Sequence, residues 1–214
     1  MNKIKLFLKE KIKWIIAVIA FIIFLILLFL MKNKSIIVFD DVCYKYISLL
    51  ISDNMTFFVK VITSLGSALP LILITVIFML LPKEKKYGIL IGINLIIVFL
   101  FNLLLKIIFL RPRPIDINLI EESGYSFPSG HAMISTAFYG FIIYLLWKSK
   151  FNKKIKWLYT IILSVLIVFI CVTRVYLGVH YTSDVLAGFF MGIVYLIIFI
   201  SNVSKYLQNK KSSK

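Results

Sequence analysis

Acidic residues are scarce in this 214-residue chain: nine Asp and Glu stand against 25 Lys and Arg, for a formal net charge of +16. That balance raises nucleic acid as a partner. The cations flank apolar runs, however, as membrane-orientation signals do, and no separate basic domain or nucleic-acid motif occurs, so nucleic acid is set aside. Cysteine is scarcer still. Cys43 and Cys171 stand alone, with no CxxC and no zinc spacing, and read as small apolar residues rather than a disulfide. Internal repeats and low-complexity segments are absent beyond the apolar runs themselves. Those runs dominate: 61% of residues are hydrophobic and the mean hydropathy is +1.00. This is too oily for a soluble domain and implies a single all-α integral membrane domain over residues 1–214.

Six apolar runs are long enough to cross a bilayer. Residues 14–31 form an uncharged run of about 27 Å as a helix, read as an uncleaved signal anchor because no small-residue cleavage pattern follows. Residues 56–81, 88–109, 131–147, 157–173 and 184–201 supply the other five. The run at 36–52 is different, because Asp40, Asp41 and Lys45 near its middle are costly in a bilayer. It reads as an interfacial helix between the first two spans, with Asp41 and Lys45 one turn apart on its wet side. Gly66 and Pro70 read as packing and kink residues.

Orientation follows from charge. With six spans, one face holds the N-terminus, the basic turns 82–87 and 148–156 and the tail, carrying 17 of the 25 Lys and Arg. That face is cytoplasmic by the positive-inside rule. Seven of the nine acids fall on the other side. The expected location is the plasma membrane, multi-pass, with both termini cytoplasmic.

Three polar motifs interrupt the oil, and all three fall on the outer face. Lys106, Arg111 and Arg113 lie where the third span ends. Ser129, Gly130 and His131 lie where the fourth begins, and a helix start with small residues offers free N–H groups to an anion. Arg174, His180 and Asp184 lie between the fifth and sixth spans. His180 and Asp184 are four apart, so on a helix they share a face, and the carboxylate can hold one ring nitrogen as N–H. The only two histidines thus sit beside cations on one face. That combination suits phosphoryl transfer, whose transition state spreads negative charge over three oxygens. One histidine can attack phosphorus and the other can protonate the leaving oxygen. No metal or other cofactor is required. The adjacent acids Asp40/Asp41 and Glu121/Glu122 read as solvated charges, and Arg111 as an interfacial cation at least as readily as a substrate contact.

These residues resemble the type 2 phosphatidic acid phosphatase (PAP2) superfamily. The resemblance rests on Lys106 followed after six residues by Arg113-Pro114, on Pro128-Ser129-Gly130-His131, and on Arg174 spaced from His180 and Asp184. It covers residues 106–184, with motifs at 106–114, 128–131 and 173–184. It implies a membrane lipid phosphatase acting through a phosphohistidine. His180 would be the nucleophile, Asp184 its orienting partner and His131 the general acid and then base. Lys106, Arg113, Arg174, Ser129 and Gly130 would bind phosphate. Thr173 departs from the family's usual serine before the third-motif arginine.

The expected substrate is a membrane lipid phosphate, because a tail can stay in the bilayer while phosphate reaches the outer headgroup level. Location alone ranks undecaprenyl diphosphate first, with phosphatidylglycerophosphate and phosphatidic acid as alternatives. A transporter of anions or lipids is the rival from another class. It would need polar groups through the membrane depth, whereas most charge here sits near span ends. A non-catalytic adaptor leaves the paired histidines without a reason, and the soluble haloperoxidase relatives do not fit so oily a chain.

Overall fold

The structure, a computed structural model, describes residues 3–81, 85–115 and 117–212, with side chains described over 11–205 of that set. Part of the basic turn 82–86, Asp116, and much of the basic N-terminal segment and tail lie outside those limits. Among the described residues there are eight α-helices: α1 Lys3–Lys32, α2 Ile37–Ser48, α3 Asp53–Ser64, α4 Ala68–Leu80, α5 Lys85–Phe109, α6 Gly130–Lys148, α7 Lys153–Tyr176 and α8 Thr182–Ser212. Five of them (α1, α5, α6, α7 and α8) are long and apolar enough to cross a bilayer.

The second predicted span is not one helix. Residues 56–81 divide into α3 and α4 at residues 65–67. In a continuous helix the Pro70 ring would clash with the Gly66 carbonyl one turn earlier and would lack the N–H to bond it. The chain instead restarts with Ser67 in extended conformation as N-cap and Pro70 in the first turn of α4, where proline is tolerated. The segment 36–52 is a helix of its own, as its charges predict, and α2 meets α3 at 118°. Asp41 and Lys45 are exposed on it, but Asp40 is not.

α8 is the centre of the bundle, in contact with α1, α6 and α7. On α1, Ala17, Ala20, Phe24 and Leu27 form one buried stripe at helical spacing, while Ile15, Ile16, Val18 and Ile19 face outward. The tightest seam is between α6 and α8. Gly188 and Gly192 are four apart on α8, and a Cβ on either would lie 2.5 Å from the Ser129 carbonyl oxygen or 2.8 Å from that of Met133. Small residues at this spacing let two membrane helices approach backbone to backbone. The seam sets the start of α6 against the start of α8, so the second and third motifs become neighbours. The end of α5 joins them through α5–α6 packing.

Candidate active site

Each motif ends or begins a helix at the same end of the bundle. α5 carries Lys106 in its last turn and stops at Leu110, whose φ of 51° turns the chain sharply into the loop with Arg111 and Arg113. α6 starts at Gly130 after Ser129. α7 delivers Arg174 in its last turn, and α8 presents Asp184 in its first. The link between α7 and α8 turns at Gly178, with φ +67°, where a Cβ would sit 2.1 Å from the Ile117 carbonyl oxygen. Only glycine fits that approach, and the turn aims His180 back into the bundle. Two backbone bonds lock the motifs together: Ser129 N–H to the Asp184 carbonyl at 3.0 Å, and Ser126 N–H to the Arg111 carbonyl at 2.8 Å.

The cations converge on His180. Arg113 places Nη1 3.1 Å from His180 Nε2 and 2.8 Å from the Val179 carbonyl. Its Nε and Nη2 hold the loop through the Gly124 and Ser123 carbonyls, each at 3.0 Å. Lys106 Nζ donates to the Tyr125 carbonyl. Arg174 is 1% exposed; its Nη1 donates to Thr63 Oγ1 at 2.8 Å and its Nη2 to Glu122 Oε2 at 2.5 Å. His180 is buried, and burial first, then the charges of Arg113, Lys106, Arg174 and His131, hold its ring well below the usual histidine range. The imidazole is therefore neutral near pH 7, the form that has a lone pair to give.

Two buried polar atoms among these residues have no protein partner: Ser129 Oγ and Arg174 Nε. Ser129 is the N-cap of α6, yet its hydroxyl does not cap the helix. The first-turn N–H groups, including that of Gly130, thus keep their capacity for an outside acceptor. Unpartnered hydroxyl and guanidinium groups, a helix start and cations are groups that bind an anion with several oxygens, which is the chemistry of a phosphate. Lys106, Arg113, Ser129, Gly130, His131, Arg174, His180 and Asp184, all singled out from sequence, are gathered at this end. Thr173 is not directed to the site: its Oγ1 bonds back to the Ile170 carbonyl at 2.6 Å.

Four readings from sequence change. His180 Nδ1 and Asp184 Oδ2, expected as a direct pair, are 3.8 Å apart, beyond hydrogen-bond length. Ser126 Oγ stands between them, 3.1 Å from Nδ1 and 2.5 Å from Oδ2. Arg111 is not an interfacial cation. Its Nη1 reaches Asp184 Oδ1 at 2.6 Å and Ser183 Oγ at 2.8 Å, its Nη2 reaches Asp40 Oδ2 at 2.9 Å, and it lies 4.0 Å over the Tyr181 ring. Asp40 is not solvated: at 2% exposure it accepts from Ser183 N–H and Oγ–H, both at 2.7 Å. Its cost within an apolar run was the available signal, since a charge there needs a partner. Glu122 is paired with Arg174 and stands 3.9 Å from Arg113. Burial alone would raise its carboxyl. The charge and hydrogen bond of Arg174, with His131 and Arg113, outweigh that and hold it below the usual 4.5. Cys43 and Cys171 are both free, as read.

Known proteins resemble this chain in sequence and fold. A family model described as the PAP2 superfamily matches residues 86–207. Phosphatidylglycerophosphatase B of Bacillus subtilis is 35% identical over 182 residues, covering 81% of this chain and 88% of the relative. Undecaprenyl-diphosphatase of Sulfolobus acidocaldarius is 32% identical over 125 residues, 56% of each chain. The crystal structure of a transmembrane PAP2-type phosphatidylglycerolphosphate phosphatase from Bacillus subtilis superposes with a TM-score of 0.81 at 32% identity, covering 88% of this chain and 96% of that one. By family model, relatives and fold together, this chain belongs to the PAP2 superfamily as an integral, multi-pass membrane lipid phosphatase, a phosphoric monoester hydrolase.

Proposed function

We propose that this chain removes the terminal phosphate of phosphatidylglycerophosphate, through a phosphohistidine on His180 and at the outer face of the membrane. The observation that carries the chemistry is a buried, neutral His180 with Arg113 3.1 Å from its Nε2, at the end of the bundle where Ser129 Oγ and Arg174 Nε are buried without a partner. The Nε2 lone pair attacks phosphorus while the bond from phosphorus to the lipid oxygen breaks in line. Lys106, Arg113, Arg174, Ser129 and the Gly130 N–H hold the charge on the remaining oxygens. His131 gives its proton to the leaving oxygen, then takes one from water as that water releases phosphate from Nε2. Asp184 orients the nucleophile. Each of these roles uses only side chains and N–H groups, and none calls for a metal.

Substrate choice turns on a different observation. Location alone ranked undecaprenyl diphosphate first. The relative covered over 88% of its length, however, is named for phosphatidylglycerophosphate, whereas the one named for undecaprenyl diphosphate is covered over 56%. That supports the monoester lipid over the diphosphate. The outward orientation rests on the charge count. The test is competition in one mixed-micelle assay among phosphatidylglycerophosphate, undecaprenyl diphosphate, phosphatidic acid and a short-chain soluble phosphate ester. Phosphatidylglycerophosphate is expected to be hydrolysed in preference. Preference for the diphosphate overturns the substrate ranking, and preference for the soluble ester overturns the lipid reading.

A further inference from the structure

The spacing of His180 and Asp184 predicts a direct carboxylate–imidazole pair, and the structure separates them by 3.8 Å. What fills the gap is a hydroxyl from a third part of the chain. We propose that Ser126 is a positioning residue of the nucleophile, carrying through its Oγ the connection between Asp184 and His180 that holds the ring by its Nδ1–H.

Donor and acceptor chemistry fixes the direction of the relay. A guanidinium only donates, so His180 Nε2, 3.1 Å from Arg113 Nη1, accepts. A neutral imidazole with Nε2 accepting carries its hydrogen on Nδ1. Nδ1–H therefore donates to Ser126 Oγ at 3.1 Å, and the single Ser126 hydrogen goes on to Asp184 Oδ2 at 2.5 Å. Asp184 is not free to swing over and replace the serine. Its Oδ2 also accepts the Tyr181 N–H at 3.0 Å, and its Oδ1 is held by Arg111 at 2.6 Å. Ser126 and Asp184 are both 0% exposed, so bulk water does not compete for the relay. The Ser126 N–H bond to the Arg111 carbonyl pins the serine to the segment that clamps Asp184.

The consequence is chemical. Attack by Nε2 requires its lone pair, hence the Nδ1–H tautomer. As the bond from Nε2 to phosphorus forms, the ring gains positive charge, and the Nδ1–H bond to Ser126 strengthens against the Asp184 carboxylate behind it. No proton leaves Nδ1. The wrong tautomer presents Nε2–H to phosphorus and cannot attack.

This inference rests on His180 as the nucleophile, but its first test needs no turnover. The chain has two histidines, so 15N-histidine labelling of the full chain in detergent micelles yields two ring systems, assigned with H131N and H180N. His180 is expected to show a protonated Nδ1 and a bare Nε2. In S126A, where Arg113 still donates to Nε2, the Nδ1–H signal is expected to shift upfield and exchange faster with water as it loses its acceptor, and in S126T to stay as in wild type. In the micellar phosphate-release assay S126A is expected to lower kcat about 100-fold, the direction taken when a triad's imidazole loses the group that orients it and stabilises its developing charge, with KM changed less than about threefold; S126T recovers most of the loss. If S126A does not fold, S126C, which keeps the volume but donates weakly, is read in its place. An Nδ1–H signal unchanged in position and exchange rate, or kcat within threefold of wild type, overturns the role of Ser126. A wild-type protein that releases phosphate from no lipid overturns the phosphatase reading instead, while the Nδ1–H measurement still decides the relay.

Discussion

Asp40 and Asp41 are neighbours of the same type, and the structure gives them opposite fates. Asp41 is exposed on α2. Asp40 accepts three hydrogen bonds, from Ser183 N–H, Ser183 Oγ and Arg111 Nη2. The Arg111 and Asp40 side chains are 11% and 1% exposed, so solvent screens their pairing little. Asp40→Ala leaves the Ser183 N–H without its acceptor and Arg111 with one ion pair in place of two. Breaking a buried ion pair from one side costs about 3–5 kcal/mol. Arg111 retains Asp184 and Ser183 Oγ, which favours the low end, about 3 kcal/mol. For a chain of this size, with about 2–4 °C per kcal/mol, the melting temperature should fall by about 6–12 °C. Asp41→Ala removes an exposed charge and should stay within about 0.5 kcal/mol. Both variants can be followed by thermal unfolding in one detergent, with retention on size exclusion as a second readout. Equal melting shifts for the two, or an Asp40→Ala protein that melts with wild type, would refute the buried clamp and with it the docking of α2 onto the start of α8.

The histidines separate by leaving group. His180→Ala should abolish any trapped phosphoenzyme, whereas His131→Ala should recover activity on a nitrophenyl phosphate, whose leaving group needs little protonation; equal losses on every leaving group contradict the roles. Phosphatase activity should survive EDTA and be inhibited by vanadate, and a loss in EDTA restored by magnesium would contradict the metal-free site. Glu122 supplies a pH signature. Its carboxyl is held below 4.5 in the folded protein, so its stabilisation is fully present above 4.5 and is lost as pH falls through the lowered value. The melting gap between wild type and Glu122→Gln should hold from pH 7 to about 5 and close only at lower pH; a gap that closes above pH 5 contradicts the Arg174 pairing. In a background lacking Cys43 and Cys171, impermeant thiol labelling of single cysteines in intact cells should mark the exposed loop positions Glu121→Cys and Ser123→Cys but not Lys85→Cys or Lys153→Cys, and the reverse pattern would invert the topology.

The sequence by itself determined the class of the molecule and the inventory of its site. Apolar runs of bilayer length carry their own message, because helix length against hydrocarbon thickness is a local property of the chain. The motif residues were legible for a related reason. Lys106, His131, Arg174 and Asp184 lie in the first or last turns of helices whose ends are marked locally by glycine, serine and charge. The separate helix at α2 was legible too, from charges that an apolar span would not carry. What the sequence did not determine is which polar residue meets which. Ser126 lies between His180 and Asp184 from a loop more than fifty residues away. Arg111 turns from the interface to join Asp184 and Asp40, and Asp40 rather than Asp41 is buried. Glu122 leaves solvent for Arg174. Each outcome depends on a partner distant in the chain, brought within hydrogen-bond reach by the close seam of α6 on α8 and the turn at Gly178. A buried charge is stable only beside the group that neutralises it, and tertiary packing alone decides which group that is.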